Sequence, residues 1–279
     1  MSVAPPARSA GPDRRRHRVH AGSYVATGER ALLRVGAFVR ERFHASPVSR
    51  PKSSEHDRVT EADGLAEDMI RRELLTAHPA SVVVGEERGT HGTGRVRWYV
   101  DPIDGTYNFA RGIPLFCLSL GVVLDGTVLG GCVYDPIRDE MFTASEGVLR
   151  VNGATATRRG QGPPMLLTDL PPCRSWAAGP TDAVTAALDG CDIRRIGSSA
   201  LALAWVAAGR ADLAANANVY AWDVAGGQAL VTAAGGGYTG LPDERLRTDR
   251  QGGFVAWGPG HGERAQRLAD ALRPTLATA

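Results

Sequence analysis

The sequence has few cysteines and no long apolar run. Its four cysteines, Cys117, Cys132, Cys173 and Cys191, are widely spaced and form no CxxC pair, which argues against a zinc cluster. No stretch of about 18 apolar residues is present, so no transmembrane helix is expected. No hydrophobic segment follows the arginines near the start of the chain, so no secretory signal is expected. These absences predict a cytoplasmic protein with reduced thiols.

The chain also lacks a large excess of either charge. It carries 32 Lys and Arg against 30 Asp and Glu, a net charge of +2. Residues 1–22 hold a net charge of +4, which leaves the rest of the chain at −2. A dedicated nucleic-acid binder is therefore not expected, and an anionic substrate must be held by a local site rather than by a broad basic field.

Residues 1–22 are rich in Pro, Ala, Gly, Ser and Arg and show no apolar periodicity. This composition predicts a disordered basic leader. The basic run from Arg14 to Arg18 is typical of a solvated tail, with contact to nucleic acid or to a membrane surface as the alternative.

Beyond the leader, apolar residues alternate between helical and strand spacing, with Asp125-Gly126 as a hairpin turn. The polar residues from Lys52 onward and the Gly-rich residues 88–97 are predicted to be loops. The mixture predicts an α/β (α+β) protein. The predicted helices are 24–43, a segment around 65–75, 182–188, 199–208, 223–234 and 264–272, and the predicted strands are 81–84, 96–100, 115–124, 127–134, 140–144, 165–168, 193–196 and 254–257.

Carboxylates follow the ends of several predicted elements. Glu86 and Glu87 follow a β-branched run, Asp101 and Asp104 follow the strand that ends at Val100, and Asp223 begins a helix. Any one of them alone is typical of a turn or of a helix N-cap. Together they lie where α/β proteins place their sites, and their oxygens are the ligands that Mg²⁺ prefers.

The segment Asp101-Pro102-Ile103-Asp104-Gly105-Thr106 has the most specific chemistry. Pro102 stiffens the turn, and two carboxylates three residues apart can converge with the intervening carbonyls. Gly105 allows the backbone to approach a ligand closely. If Thr106 opens a helix, its free N–H groups can bind a phosphate.

These residues resemble the inositol monophosphatase family of Mg²⁺-dependent, lithium-sensitive phosphatases. Four blocks match in the family's order, over about residues 24–272. The blocks are Asp57-Arg58-Val59-Thr60-Glu61-Ala62-Asp63, Gly85-Glu86-Glu87, Trp98 to Phe109 with Pro114 and Ser119-Leu120, and Trp222-Asp223-Val224-Ala225-Gly226-Gly227 with Ala234-Gly235-Gly236.

The resemblance implies a layered αβαβα sandwich over residues 23–279, with an N-terminal half of about 23–156 and a C-terminal half of about 157–279. It implies a phosphatase domain with two to three Mg²⁺ between the halves. One Mg²⁺ would be held by Glu86, Asp101 and the Ile103 carbonyl, a second by Asp101, Asp104 and Asp223, and a third, weaker one would lie near Glu86.

The resemblance also implies catalytic roles. Gly105 and Thr106 would contact the phosphate, and Asp63 would orient Thr106. Thr106 and Glu86 would position the attacking water, so that no covalent nucleophile is needed. Lys52 matches a family lysine near the weak metal site.

The substrate implied is a small phosphorylated polyol, sugar or amino alcohol. Asn216 stands where the family often has an acidic residue that binds inositol hydroxyls, which argues against inositol phosphate itself. Histidinol phosphate, fructose bisphosphate, an intermediate of a specialised pathway and a catalytically idle binding protein remain as alternatives. A homodimer is implied as well. The residues predicted to contact substrate are Asp104, Gly105, Thr106, Gly197, Ser198, Ser199, Asn216 and Asp223.

Overall fold

The computed structural model describes residues 14–45, 48–54, 57–156, 162–170 and 182–276. Seven helices lie in these residues. They are α1 Arg14–His44, α2 Glu61–Ala77, α3 Thr106–Ala110, α4 Asp182–Leu188, α5 Ser199–Ala207, α6 Ala221–Ala233 and α7 Gly262–Leu276.

The described residues also contain fifteen strands. They are β1 Ser49–Ser54, β2 Asp57–Thr60, β3 Ser81–Gly85, β4 Gly89–Gly92, β5 Val96–Asp104, β6 Cys117–Leu124, β7 Thr127–Asp135, β8 Glu140–Ser145, β9 Val148–Val151, β10 Ala154–Thr155, β11 Met165–Thr168, β12 Asp192–Arg194, β13 Leu213–Val219, β14 Gly237–Leu241 and β15 Gly252–Trp257.

Helix α1 confirms the predicted amphipathic helix, because Val25, Leu32, Val35 and Val39 are all buried. The helix begins earlier than expected, so residues 14–22 of the predicted leader are helical. Ala21 in this early turn is only 1% exposed, so packing continues the helix where the apolar periodicity gives no signal. Residues 1–13 of the predicted leader lie outside the described residues.

Strands of the first half form one large sheet in the order β10-β9-β8-β7-β6-β5-β3-β4. All neighbours are antiparallel except β3 and β5, which are parallel. The predicted hairpin at Asp125-Gly126 is confirmed, with both residues at positive φ as a tight turn requires.

Strands of the second half form a smaller sheet in the order β12-β11-β13-β15-β14. Strand β11 is parallel to both β12 and β13, so these three strands end on the same edge of the sheet. Strands β13 and β14 each pair antiparallel with β15.

The helices separate and cover the two sheets in five layers. Helices α1 and α2 pack on one face of the large sheet, α5 and α6 lie between the sheets, and α7 packs on the outer face of the small sheet beside α4. This arrangement confirms the predicted αβαβα sandwich. Helix α5 is apolar on nearly all sides because both of its faces contact a sheet.

Helix α6 lies unusually close to the large sheet. A Cβ atom on Gly131 would stand 2.8 Å from the Cα of Gly226, and one on Gly121 would stand 2.4 Å from the Cβ of Ala225. The sheet and the helix can approach so closely because both carry glycine at the contact, where a side chain would keep them apart. The first half of α6 is thereby held against β6 and β7.

Two predicted loops were wrong. Lys52 lies in β1, which pairs antiparallel with β2, and residues 89–92 form β4 on the edge of the large sheet. Both segments are polar or Gly-rich and carry no apolar alternation, because β1 and β2 form a separate two-stranded sheet and β4 is an edge strand.

Within the described residues, no helix combines the length and the apolar character needed to cross a membrane. Cys117, Cys132 and Cys191 are unpaired, and Cys173 lies outside the described residues.

Candidate functional site

Three carboxylates predicted as metal ligands come together between the two halves. Oxygen atoms of Glu86, Asp101 and Asp223 all lie within 4.8 Å of one another. Glu86 lies in the turn after β3, Asp101 in the interior strand β5, and Asp223 in the first turn of α6. The structure thus collects at one point oxygens from a turn, a strand and a helix that are far apart in the chain.

A bulge in β5 explains how Asp101 and Asp104 serve the same face of the sheet. Asp101 pairs with Ser119 and Asp104 pairs with Cys117, so three steps on β5 match two on β6. In a regular strand, residues three apart point to opposite faces, and the extra residue of a bulge cancels that alternation. Both carboxylates therefore reach the helices α5 and α6.

Burial and mutual repulsion disfavour ionisation in this cluster. Burial, followed by the charges of Glu86, Asp104 and Asp223, raises the pKa of Asp101 well above its usual range. The pKa of Asp223 is raised for the same reasons, although its Oδ2 accepts the Tyr220 backbone N–H at 2.7 Å. A cation placed among these oxygens relieves the repulsion.

Asp104 is held by the start of helix α5. Its Oδ2 accepts the Ser198 hydroxyl and the Ala200 backbone N–H, each at 2.6 Å. Burial nevertheless raises the pKa of Asp104 to about 6. Ser198 also caps α5, accepting the Leu201 N–H at 3.3 Å. Predicted as a substrate contact, Ser198 is only 2% exposed, and here it positions Asp104.

Gly105 and Thr106 follow β5 directly and open the short helix α3. Gly105 has φ +102, and a Cβ atom there would stand 3.0 Å from the Leu115 carbonyl oxygen and 3.1 Å from that of Gly197. Glycine therefore allows the chain to turn sharply where strand, loop and α5 meet.

Asp63 links helix α2 to this turn. Its Oδ1 lies 2.9 Å from Thr106 Oγ1, which also lies 2.9 Å from the Ile103 carbonyl oxygen. Its Oδ2 accepts the Thr60 backbone N–H at 2.8 Å, which ties the carboxylate to the N-terminus of α2. Burial raises the pKa of Asp63 to about 6 against the lowering effect of these hydrogen bonds.

Asn108, part of the third matching block, has a structural role that the sequence did not predict. Its Nδ2 donates to the carbonyl oxygens of Leu115 and Ile196, each at 2.7 Å. One buried amide therefore fastens the segment before β6 to the segment before α5. Asn108 belongs to the matching block that runs from Trp98 to Phe109.

Asp169 is a second residue that sequence reasoning missed. It follows β11 as the other candidate carboxylates follow their elements, and this position was the signal that could have found it. Its Oδ1 accepts the exposed Gly197 N–H at 3.2 Å, and its charge raises the pKa of Asp104 after the larger effect of burial. Burial raises the pKa of Asp169 as well.

Asn216 lies behind Asp169 rather than at the surface. It is 3% exposed, its Oδ1 accepts the Asp169 N–H, and its Nδ2 donates to Ser199 Oγ at 2.9 Å and to Asp169 Oδ2 at 3.4 Å. All polar atoms of this amide therefore have partners within the protein. The structure gives Asn216 the geometry of a support for Ser199 and Asp169.

Lys52 lies in β1, and its side chain is outside the described part of the chain. The other predicted site residues converge from several elements on the space between the two halves. They are Asp63 from α2, Glu86, Asp101, Ile103, Asp104, Gly105 and Thr106 from β3 to α3, Gly197, Ser198 and Ser199 at α5, Asn216 from β13 and Asp223 from α6.

Comparisons with known proteins agree with this geometry. Residues 23–276 match the model of the inositol monophosphatase family. The chain is 41% identical over 191 residues to Nus factor SuhB of Xylella fastidiosa, covering 66% of this chain and 70% of that protein. It is 38% identical over 203 residues to inositol-1-monophosphatase of Rhizobium meliloti, covering 64% and 71%. The inositol monophosphatase structure from Anabaena superposes with a TM-score of 0.73 at 26% identity, covering 93% of this chain and 100% of that one.

Proposed function

The chain belongs to the inositol monophosphatase family, and from this premise we propose that it is a Mg²⁺-dependent phosphomonoesterase acting on a small polyol, sugar or amino-alcohol phosphate. The observation that carries the proposal is the convergence of Glu86, Asp101 and Asp223 within 4.8 Å, beside the turn at Gly105 and Thr106.

The donor set fits a hard divalent cation. Mg²⁺ takes oxygen ligands, and in proteins it is commonly bound by a few carboxylates together with substrate phosphate. Glu86, Asp101 and the Ile103 carbonyl would hold one ion, and Asp101, Asp104 and Asp223 a second. Bound there, Mg²⁺ supplies neutralisation of the phosphate charge, a lowered pKa for water and stabilisation of the leaving oxygen.

Thr106 and Asp63 orient the attacking water. The Thr106 hydroxyl has one proton, and the ionised Asp63 is a stronger acceptor for it than the neutral Ile103 carbonyl. When that proton points to Asp63, the lone pairs of Thr106 Oγ1 are left to accept a hydrogen from water. Glu86 accepts the second hydrogen of the water molecule, so that the water oxygen faces the phosphorus.

The substrate alcohol lies toward the second half of the chain. Asp169 and the Gly197 segment border Asp104 on that side, and Asn216 supports them from behind. A carboxylate at this rim accepts hydrogen bonds from hydroxyl or ammonium groups and repels a second phosphate. Polyol and amino-alcohol monophosphates therefore fit better than fructose bisphosphate.

A binding or regulatory protein without turnover is the second candidate. It is favoured by one finding, that the relative from Xylella fastidiosa is named a Nus factor. The presence of Asp63, Thr106 and the carboxylate cluster favours catalysis, because a binding protein has no need for a group that orients water.

The experiment that separates them is phosphate release from a panel of monoesters, with Mg²⁺ and with EDTA. The panel holds inositol 1-phosphate, histidinol phosphate, fructose bisphosphate, sugar phosphates and phosphoadenosine nucleotides. Mg²⁺-dependent release from a polyol or amino-alcohol phosphate is expected. Binding of Mg²⁺ without release from any of them would favour the second candidate.

A further inference from the structure

Glu67 is a fully buried carboxylate with no role in the chemistry proposed above. It lies on α2, one helical turn after Asp63, and its exposed fraction is 0%. Burial raises its pKa, as expected for a carboxylate removed from water. The nearby Arg71 pairs with Asp68 at 2.7 Å. Burying a carboxylate costs folding free energy unless its oxygens are hydrogen-bonded. The hydrogen-bond partners of Glu67 therefore indicate its role.

Its partners are two successive backbone N–H groups. Glu67 Oε2 accepts the Glu87 N–H at 2.7 Å, and Oε1 accepts the Arg88 N–H at 2.9 Å. Both belong to the turn between β3 and β4, which carries Glu86. Hydrogen bonds to an ionised acceptor are stronger than neutral ones, and two in parallel also fix orientation.

Gly85 makes this contact sterically feasible. A Cβ atom on Gly85 would stand 2.1 Å from Glu67 Oε1 and 2.2 Å from its Cδ. The carboxylate therefore occupies the volume that a side chain at position 85 would need. On the other side of the turn, the Glu86 N–H donates to the Val100 carbonyl oxygen at 3.2 Å. The backbone at Glu86 is fixed between α2 and β5.

Glu86 needs such support more than the other two members of the cluster. Asp101 is carried by an interior strand and Asp223 by a helix between two sheets, whereas Glu86 lies on a turn near the sheet edge. Three carboxylates within 4.8 Å repel one another, and the one on the least restrained backbone moves away first.

We propose that Glu67 is a positioning residue that holds the Glu86 turn so that the Glu86 carboxylate stays beside Asp101 and Asp223. This rests on the proposed function, because it assumes that the cluster binds Mg²⁺. Helix α2 then positions two parts of the site. Asp63 contacts Thr106, and Glu67 holds the turn that carries Glu86.

The test is Glu67→Gln, measured by calorimetric titration with Mg²⁺ alone. Glutamine has nearly the same shape, but it offers one acceptor and one NH₂ group to two N–H donors, so one contact becomes repulsive. We expect Mg²⁺ affinity to fall about 10- to 100-fold, the usual effect of changing a group that orients a ligand. The Mg²⁺ concentration for half-maximal activity should rise equally, and KM at saturating Mg²⁺ should stay within about twofold.

Asp68→Asn is the matched control. Asp68 contacts the same turn through the Arg88 side chain at 3.1 Å, but this ion pair is at the surface. Its loss should leave Mg²⁺ affinity unchanged, as expected for an exposed pair. If Glu67→Gln does not fold, Glu67→Asp keeps the charge and shortens the reach, and the same loss of affinity is expected.

The outcomes distinguish the two proposals. A wild-type protein that binds no Mg²⁺ overturns both. A wild type that binds Mg²⁺ and a folded Glu67 variant that binds it equally well overturn only the role of Glu67. A lowered melting temperature with unchanged affinity likewise assigns Glu67 to stability alone.

Discussion

Thr106 and Asp63, which are 43 residues apart in the chain, are joined by a distance of 2.9 Å between Thr106 Oγ1 and Asp63 Oδ1. The contact connects the N-terminal turn of α2 to the turn that follows β5. Because Asp63 is 2% exposed and also tied to Thr60, it cannot follow Thr106 if that residue moves. The hydroxyl of Thr106 is therefore fixed in direction before any ligand binds.

Replacing Thr106 by valine should lower kcat about 10²-fold or more, because the shape is kept while the hydroxyl proposed to orient water is lost. Thr106→Ser retains the hydroxyl and should retain most of the activity. Mg²⁺ affinity, measured by calorimetry, should be the same in both variants. Equal kcat values for the valine and serine variants would remove Thr106 from the mechanism.

Asp101→Asn should abolish Mg²⁺-dependent turnover, with a loss of at least about 10²-fold. Asp101 is the one residue placed in both proposed ion sites, so its removal weakens each. The metal-free variant should unfold at the same urea concentration as the wild type or a higher one, because the repulsion within the cluster is reduced. Asp125→Asn, in the hairpin turn of the same sheet, is the control and should keep wild-type activity. Full activity in Asp101→Asn would contradict the metal assignment.

The pH dependence of stability should report the buried acids. The pKa of Asp63 is raised from 3.8 to about 6, so the folded state binds this proton more tightly than the unfolded state does. The stabilisation is therefore complete below pH 3.8 and is lost as the pH rises through about 6. This difference corresponds to about 3 kcal/mol.

The measurement is urea unfolding in EDTA at about pH 4, 6 and 8 for the wild type and for Asp63→Asn. The wild type should lose stability relative to the variant as the pH rises over this range. Parallel curves for the two proteins would show that Asp63 titrates normally.

The two residues at the substrate side should respond differently to substitution. Asp169→Asn should raise KM about tenfold with a smaller change in kcat, because a charged acceptor at the rim is lost. Asn216→Glu should instead destabilise the protein by more than about 2 kcal/mol, since it buries a second carboxylate against Asp169.

Asp192→Asn, at an exposed position of the small sheet, is the control for both variants. It should change neither KM nor the free energy of unfolding. A stable Asn216→Glu protein with a preference for inositol phosphate would instead place residue 216 in direct contact with substrate.

The sequence predicts the elements that carry a clear apolar pattern or clear turn residues, and it misses those that carry neither. The α4 prediction agrees with the structure at both ends, and the hairpin at Asp125-Gly126 is signalled by its turn residues. Strand β13 was missed because it is rich in Ala and Asn, and β14 because it is short and contains Gly237 and Gly240. Their strand conformation comes from pairing with β15, which local propensity does not encode.

The site residues likewise divide into those that the sequence predicts and those that it misses. The carboxylates after β3, at the end of β5 and at the start of α6 were found because they adjoin recognisable elements. The bulge that turns Asp101 and Asp104 to one face was not predictable, since register is set by the partner strand. Glu67 was missed because an acidic residue on an amphipathic helix is expected to face water.

The close fit of Gly226 on Gly131 bears on how the site arises during protein synthesis. The large sheet, with Glu86 and Asp101, leaves the ribosome before α6 does, and domains tend to fold in that order. Until α6 emerges and docks, the cluster lacks Asp223. A chain that ends before α6 contains Glu86 and Asp101 but lacks Asp223, so the proposed cation site can be completed only after the second half has been synthesised.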